Sequence, residues 1–232
     1  MAEETVIVEE KKEVKEREPL FSKKNKKLIT DPLDENNPVT IQVLGICSAL
    51  AVTVQMKAAV VMSISVLFVL LMANISVSLM RNLIPNRIRI IVQLVVVASL
   101  VIIVDQVLKA YLYDVSKELS VFVGLIITNC IIMGRLEAFA LGNKVWPSTL
   151  DALGNSIGYA MVLVVVSFFK ELFGSGKLFG IEIFGNATEG TGLYAMGYMD
   201  NGLMLLPPSS LILVAIYIWV QKMRNPTLIE TH

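Results

Sequence analysis

Apolar and polar stretches alternate along the chain from residue 38 onwards, which gives six apolar runs. Two of the runs are short, and each short run is followed by two longer ones. The short runs are residues 38–54 and 119–135, and the longer ones are about 58–80, 88–108, 155–173 and 203–220. A helix that crosses the hydrocarbon core of a membrane needs ~20 residues. The pattern therefore predicts four full spans and two segments that are too short to cross as ordinary helices.

The order short, long, long occurs twice, which indicates an internal repeat of three segments. Because three is an odd number, the second repeat must enter the membrane from the opposite face. We therefore predict an all-α polytopic membrane protein with six transmembrane segments, arranged as two inverted three-helix repeats at residues 38–111 and 119–221. Short segments at corresponding positions of two such halves are typical of a site near the middle of the membrane.

The composition agrees with a membrane protein, since 55% of the residues are apolar and the mean hydropathy is +0.67. The first 38 residues hold 18 of the 40 charged residues, so residues 1–37 are predicted to form a charged, disordered tail. Residues 222–232 are predicted to form a second, shorter tail. The formal net charge of zero gives no support for a nucleic-acid partner. The only histidine, His232, lies outside the apolar runs, which argues against a hydrolase site.

Lys and Arg residues are distributed unequally between the two sides of the predicted membrane. The two tails and the links after the second and fourth runs carry fifteen of them, and the other three links carry five. Since Lys and Arg accumulate on the cytoplasmic side of membrane proteins, both termini are predicted to be cytoplasmic.

The chain has two cysteines, Cys47 and Cys130, and each lies on one of the short runs. At a rise of ~1.5 Å per helical residue, they lie ~13 Å and ~16 Å from the starts of these runs. Half of the hydrocarbon thickness is ~15 Å, so both thiols are expected near the midplane. Three interpretations remain open at this point: small buried apolar residues, a disulfide, or metal ligands. An iron-sulfur cluster needs four thiolates, so a partner would have to supply two of them.

Two carboxylates are further candidates for a functional role. Asp105 lies near the end of the third run, where a charged residue at membrane depth is functional by default. Because Asp105 lies near the membrane interface, however, we expect an ordinary ion pair with Lys109, four residues further on. Asp151 precedes the fifth run and is expected to cap that helix. Lys170 and Glu171 end the same run and are expected to extend their charged groups to the membrane surface.

Four stretches carry a resemblance to a known family: LGICSALAVT, VDQVLKAYLYDVSKELSVFVGLIITNCIIMGRLEAFA, ELFGSGKLFG and NGLMLLPPS. They resemble the D subunits of the bacterial Na+-translocating NADH:quinone oxidoreductases. The wider family also contains the E subunits of that enzyme and the E and A subunits of the Rnf complex. The resemblance extends from about Pro38 to Val220 and does not include the charged tail.

The resemblance implies six helices in two inverted repeats, with half-helices at the first and fourth positions. It implies a homologous six-helix E subunit as partner, inserted in the opposite orientation in the bacterial inner membrane. A 2Fe-2S cluster would lie between the two subunits, with Cys47 and Cys130 as the ligands from this chain. The cluster would relay electrons between flavins while the complex exports Na+. The A, B, C and F subunits would bind flavins, NADH and quinone, and Asp105 and Asp151 would be candidates for the Na+ path.

Two other functions are compatible with the same residues. The chain is also similar to the corresponding subunit of an Rnf-type ferredoxin:NAD+ complex, which shares the cysteine segments. A secondary transporter, in which the short segments bind a solute and the cysteines have no role, belongs to a different class. Iron content would separate the electron-transfer subunits from the transporter.

Overall fold

The computed structural model describes residues 23–33, 36–81, 83–85, 87–111, 124–175, 177–178, 181–182 and 202–224. The helices in this part of the chain are α1 (Lys23–Thr30), α2 (Ile46–Val52), α3 (Met56–Met80), α4 (Arg89–Tyr111), α5 (Cys130–Arg135), α6 (Val145–Ser175), α7 (Gly202–Leu205) and α8 (Pro207–Arg224). A 3-10 turn (Asp31–Leu33) follows α1, and a π-helix (Leu136–Ala140) continues α5. Two short strands, β1 (Lys177–Leu178) and β2 (Ile181–Glu182), form an antiparallel pair.

Three of these helices are long and apolar enough to cross a membrane: α3, α4, and residues Val145–Gly174 of α6. They correspond to the second, third and fifth apolar runs, so the prediction of a helical membrane protein is confirmed. The sixth run contains a short helix, α7, followed by α8, which begins at Pro207. The arrangement in six spans and two inverted repeats stays a prediction.

The core of the fold lies between α3 and α6, which contact each other over most of their length. Buried apolar side chains such as Val66 and Leu70 of α3 and Val162 and Leu163 of α6 fill this interface. In their most apolar stretches, 56% of the α3 and α6 residues are buried, compared with 22% of those in α4. Most of α4 is therefore an outer surface, which is compatible with hydrocarbon because its side chains are apolar.

Both short runs are interrupted immediately before their cysteine. In the first run, residues 38–41 form turns, and Val43 and Gly45 adopt φ angles of 57° and 83° before α2 begins. Gly45 is required there because a Cβ would lie 2.9 Å from Cε2 of Tyr159 and the φ angle is left-handed. In the fourth run, a helical turn at residues 124–127 ends at Thr128, and Asn129 is the N-cap of α5. Neither run forms one continuous helix.

The fifth run forms a longer helix than the sequence pattern predicts. The helix α6 begins at Val145, ten residues before the apolar run, and includes Pro147 in its first turn. Proline is tolerated in the first turn because the N–H that it lacks would have no partner there. Asp151 consequently lies inside the helix, and the prediction that it caps the helix is wrong.

The end of the predicted N-terminal tail contacts α6. A Cβ on Gly154 would lie 2.6 Å from the carbonyl oxygen of Leu28, and a Cβ on Gly158 would lie 2.5 Å from that of Pro32. The Asn37 side chain also donates a hydrogen bond to the Gly158 carbonyl, at 3.3 Å. This part of the tail thus fits closely against two glycines, which differs from the disordered tail expected over residues 1–37. Residues 1–22 of that tail lie outside the described residues.

Candidate functional site

The two cysteines, 83 positions apart in the sequence, lie next to each other in the fold. Their Sγ atoms are 3.6 Å apart, and both residues are exposed and free. A disulfide would require a separation of about 2.05 Å, so the structure holds two thiols. The interpretation of the cysteines as small buried apolar residues is wrong, because both residues lie at the surface of the chain.

The position of each cysteine within its helix brings the thiols together. Cys47 is the second residue of α2, and Cys130 is the first residue of α5. Both helices begin after the interruptions in the short runs, and both run away from the point where the thiols meet. Each interruption therefore places a cysteine at the start of a helix instead of within a continuous one.

The separation of the thiols fits two ligands of a single tetrahedral metal ion. With metal–sulfur bonds of about 2.3 Å and tetrahedral angles, two thiolates on the same metal are about 3.7–3.8 Å apart. The observed 3.6 Å is close to this value. In the described part of the chain, no group of three or more His, Cys, Asp or Glu residues could hold a metal ion. The described part of the chain thus offers two neighbouring thiols as donors, and both are exposed at its surface.

Three buried polar side chains lie behind the thiols and connect α2, α5 and α6. Ser48 follows Cys47, Asn129 precedes Cys130, and Tyr159 extends from α6; all three are 0% exposed. The Tyr159 hydroxyl donates to Ser48 Oγ at 2.7 Å, and Asn129 Nδ2 donates to Ser48 Oγ at 3.3 Å. Asn129 Oδ1 also accepts from the backbone N–H of Ile131, which caps α5.

A buried ion pair connects the end of α5 to α6. The Arg135 guanidinium donates two hydrogen bonds to the carboxylate of Asp151, whose side chain is 2% exposed. It donates a third to Gln42 Oε1 at 3.3 Å, and its Cζ lies 5.6 Å from the centre of the Phe139 ring. Since Gln42 lies five residues before Cys47, this ion pair also holds the segment that leads into α2.

The other charged candidates lie in different surroundings. Asp105 on α4 pairs with Lys109 at 2.5 Å, which confirms the predicted i to i+4 ion pair. Lys170 is 0% exposed and donates to Ser210 Oγ of α8 at 2.8 Å. Glu171 is 7% exposed and accepts a hydrogen bond from the backbone N–H of Met56 at 2.6 Å. The prediction that Lys170 and Glu171 extend to the membrane surface is wrong.

Comparison with known proteins assigns the chain to a family. The Rnf-Nqr subunit family of membrane proteins matches residues 25–218. The chain belongs to this family. A curated member, the D subunit of the Na(+)-translocating NADH-quinone reductase of Photobacterium profundum, is 53% identical over 209 residues, which are 90% of this chain and 97% of the relative. The relationship to Na+-translocating NADH-quinone reductase subunits that the sequence suggested is confirmed.

In this Rnf-Nqr subunit the two cysteines can be recognised from the sequence, but the residues that hold them cannot. Ser48 and Asn129 are adjacent to the cysteines, and their buried positions depend on packing that no local pattern shows. The sequence did contain one indication of these buried polar residues: in α6, Asp151, Asn155 and Tyr159 recur at intervals of four. Such residues lie on one face of a helix, so they mark a polar stripe in a helix that is otherwise largely apolar.

Proposed function

We propose that this chain is the D-type subunit of a Na+-translocating NADH:quinone reductase and supplies two thiolates, those of Cys47 and Cys130, to an intramembrane 2Fe-2S cluster. The observation that carries the proposal is the pair of exposed, free thiols 3.6 Å apart. The family and the 53% identity to a D subunit over nearly all of that protein's length support it. When bound, such a cluster is a one-electron carrier, here between the flavins of the complex.

The partner in this proposal is the homologous E subunit, which lies in the opposite orientation and supplies the other two thiolates. The exposure of Cys47 and Cys130 supports a shared site, since a cluster enclosed by one chain would have all its ligands inside that chain. The A, B, C and F subunits bind flavins, NADH and quinone. The complex lies in the bacterial inner membrane, with both termini of this chain in the cytoplasm.

The role of this chain at the site is to hold the thiols apart at a fixed distance and open to the partner. The starts of α2 and α5 fix the position of each cysteine, and buried side chains on α6 hold both helices. The Rnf-type complex remains the alternative within the family, and the relative from the quinone reductase favours that enzyme. A secondary transporter with incidental cysteines is disfavoured, since chance placement would not bring the only two thiols of the chain together.

Asp105 and Asp151 stay candidates for the Na+ path on the basis of the resemblance. Each carboxylate has a cationic partner in this structure, Lys109 for Asp105 and Arg135 for Asp151. A sodium ion that passed either carboxylate would have to displace that partner. Removal of both charges of the Arg135–Asp151 pair separates an ion-path role of Asp151 from a structural one, because no unpaired charge remains.

The test of the cluster is the iron content of the complex co-purified with its partner subunit. The wild-type complex is expected to carry about two irons at this site. Cys47→Ser and Cys130→Ser should each remove them and abolish quinone reduction, while NADH should still reduce the first flavin. Thr128→Ser, at an exposed position two residues before Cys130, is the matched control and should keep the iron. Unchanged iron and unchanged quinone reduction in Cys130→Ser would refute the proposal.

A further inference from the structure

A closed set of hydrogen bonds lies directly behind the two thiols. Ser48 Oγ donates to the Gly45 carbonyl at 2.7 Å and accepts from both the Tyr159 hydroxyl and Asn129 Nδ2. A hydroxyl group has one donor and two acceptor positions, so Ser48 uses all of them. The Tyr159 hydroxyl in turn accepts from Asn129 Nδ2, at 3.4 Å. Water has no access to these groups because all three side chains are 0% exposed.

These hydrogen bonds connect residues next to the cysteines with a third helix. Ser48 and Asn129 are each one residue from a cysteine, so their hydrogen bonds restrain the backbone next to each thiol. Tyr159 contributes from α6, and its ring also lies against Gly45, where a Cβ would be 2.9 Å from Cε2. The tyrosine therefore restrains the start of α2 with both its ring and its hydroxyl group, and it restrains the start of α5 through Asn129.

We infer that Tyr159 is a positioning residue for the thiol pair: through Ser48 and Asn129 it holds the starts of α2 and α5 at the separation that two ligands of one metal require. Tyr159 does not itself bind the metal. The inference rests on the proposed function only where it concerns the cluster, because the separation of the thiols can be measured without metal.

The variant that tests the inference is Tyr159→Phe, which keeps the ring against Gly45 and removes only the hydroxyl group. Tyr111→Phe is the matched control, since Tyr111 is 84% exposed at the end of α4. Both are made in the full chain and co-purified with the partner subunit. Ser48→Ala removes the central hydroxyl from the same set of hydrogen bonds and replaces Tyr159→Phe if that variant is not recovered in the membrane.

The first measurement is the rate of disulfide formation between Cys47 and Cys130 after the iron is removed with a chelator. The oxidant is diamide, which accepts the two electrons and two protons. Two S–H bonds are replaced by one S–S bond, and the N=N bond of diamide becomes an N–N bond between two N–H groups. The wild type and Tyr111→Phe should form the disulfide readily from thiols 3.6 Å apart. Tyr159→Phe should form it up to about tenfold more slowly, which is the effect of one net hydrogen bond.

The second measurement is made on the complex that retains its iron. The potential of an iron-sulfur centre depends on hydrogen bonding and on the geometry of its surroundings. Tyr159→Phe should therefore shift the midpoint potential and the EPR signal of the reduced centre while the iron content stays at the wild-type level. Loss of stability alone would lower the iron content and leave the potential of the remaining centres unchanged.

The outcomes for the inference and for the proposed function can be separated. Wild-type disulfide rate and wild-type potential in Tyr159→Phe, or in Ser48→Ala where it replaces that variant, would overturn the inference. Absence of the disulfide in the oxidised wild type would also overturn it, since the thiols would then not be neighbours. Unchanged iron and unchanged quinone reduction in Cys130→Ser would refute the proposed function instead, and the disulfide rate would still decide the role of Tyr159.

Discussion

The Arg135–Asp151 ion pair gives a prediction that separates a structural role of Asp151 from a role in the Na+ path. Asp151→Asn removes the negative charge and leaves the Arg135 guanidinium without its carboxylate, in a position where the arginine side chain is 15% exposed. Removal of one partner from a buried ion pair typically costs ~3–5 kcal/mol. Arg135 keeps its contacts with Gln42 and Phe139, so we expect a value near the lower limit, about 3 kcal/mol. For a chain of this size, that loss lowers the melting temperature by roughly 6–12 °C.

The assay is the thermal denaturation of the detergent-solubilised complex, followed together with Na+ transport in liposomes. The double variant Asp151→Leu with Arg135→Met removes both charges and should recover most of the lost stability, because no unpaired charge remains. If the ion pair is structural, the double variant should also transport Na+. A stable double variant that reduces quinone without Na+ transport would place Asp151 in the ion path. Wild-type stability of Asp151→Asn would refute the reasoning from the buried ion pair.

Two further predictions concern the contact between the N-terminal segment and α6. Gly158→Ala should destabilise the chain by about 1–3 kcal/mol, since its Cβ would lie 2.5 Å from the Pro32 carbonyl oxygen. Gly142→Ala is the control in thermal denaturation, because its Cβ would have its nearest neighbour at 3.9 Å. Equal stability of the two variants would contradict the contact. Deletion of residues 1–22 should leave the yield of assembled complex intact, whereas deletion of residues 1–33 should lower it by removing α1 from α6; equal yields of the two truncated chains would show that the contact is dispensable.

The sequence predicts the long helices well because their apolar runs match the thickness of a membrane. The ends of α3 and α4 lie within a few residues of the ends of the second and third runs. The start of α6 could not be predicted in this way, since Pro147 and Asp151 resemble a link when only polarity is considered. A proline in the first turn and a buried, paired carboxylate are both compatible with a helix, but the partner of Asp151 lies on another helix.

Neighbouring charged residues illustrate a second limit of the sequence pattern. Lys170 and Glu171 look like a pair at the end of a helix, but adjacent residues on a helix point in different directions. In the structure, Lys170 contacts α8 and Glu171 contacts the start of α3. Local spacing cannot show such contacts because each depends on which element lies beside which face. For the N-terminal segment a local signal did exist: Gly154 and Gly158 are four residues apart, the spacing of small residues that permits close approach to a helix.

The face of α6 that carries Asp151, Asn155 and Tyr159 links the fold to the candidate site. Asn155 Nδ2 donates to both the backbone and the side chain of Asp151, so the stripe is itself ordered. At one end of the stripe Asp151 holds the last residue of α5, and at the other end Tyr159 holds the starts of α2 and α5. The two interrupted segments have no continuous helical hydrogen bonding to fix their position, so contacts with another helix must do so. The single long helix α6 makes these contacts with both segments, and it consequently sets the distance between the thiols.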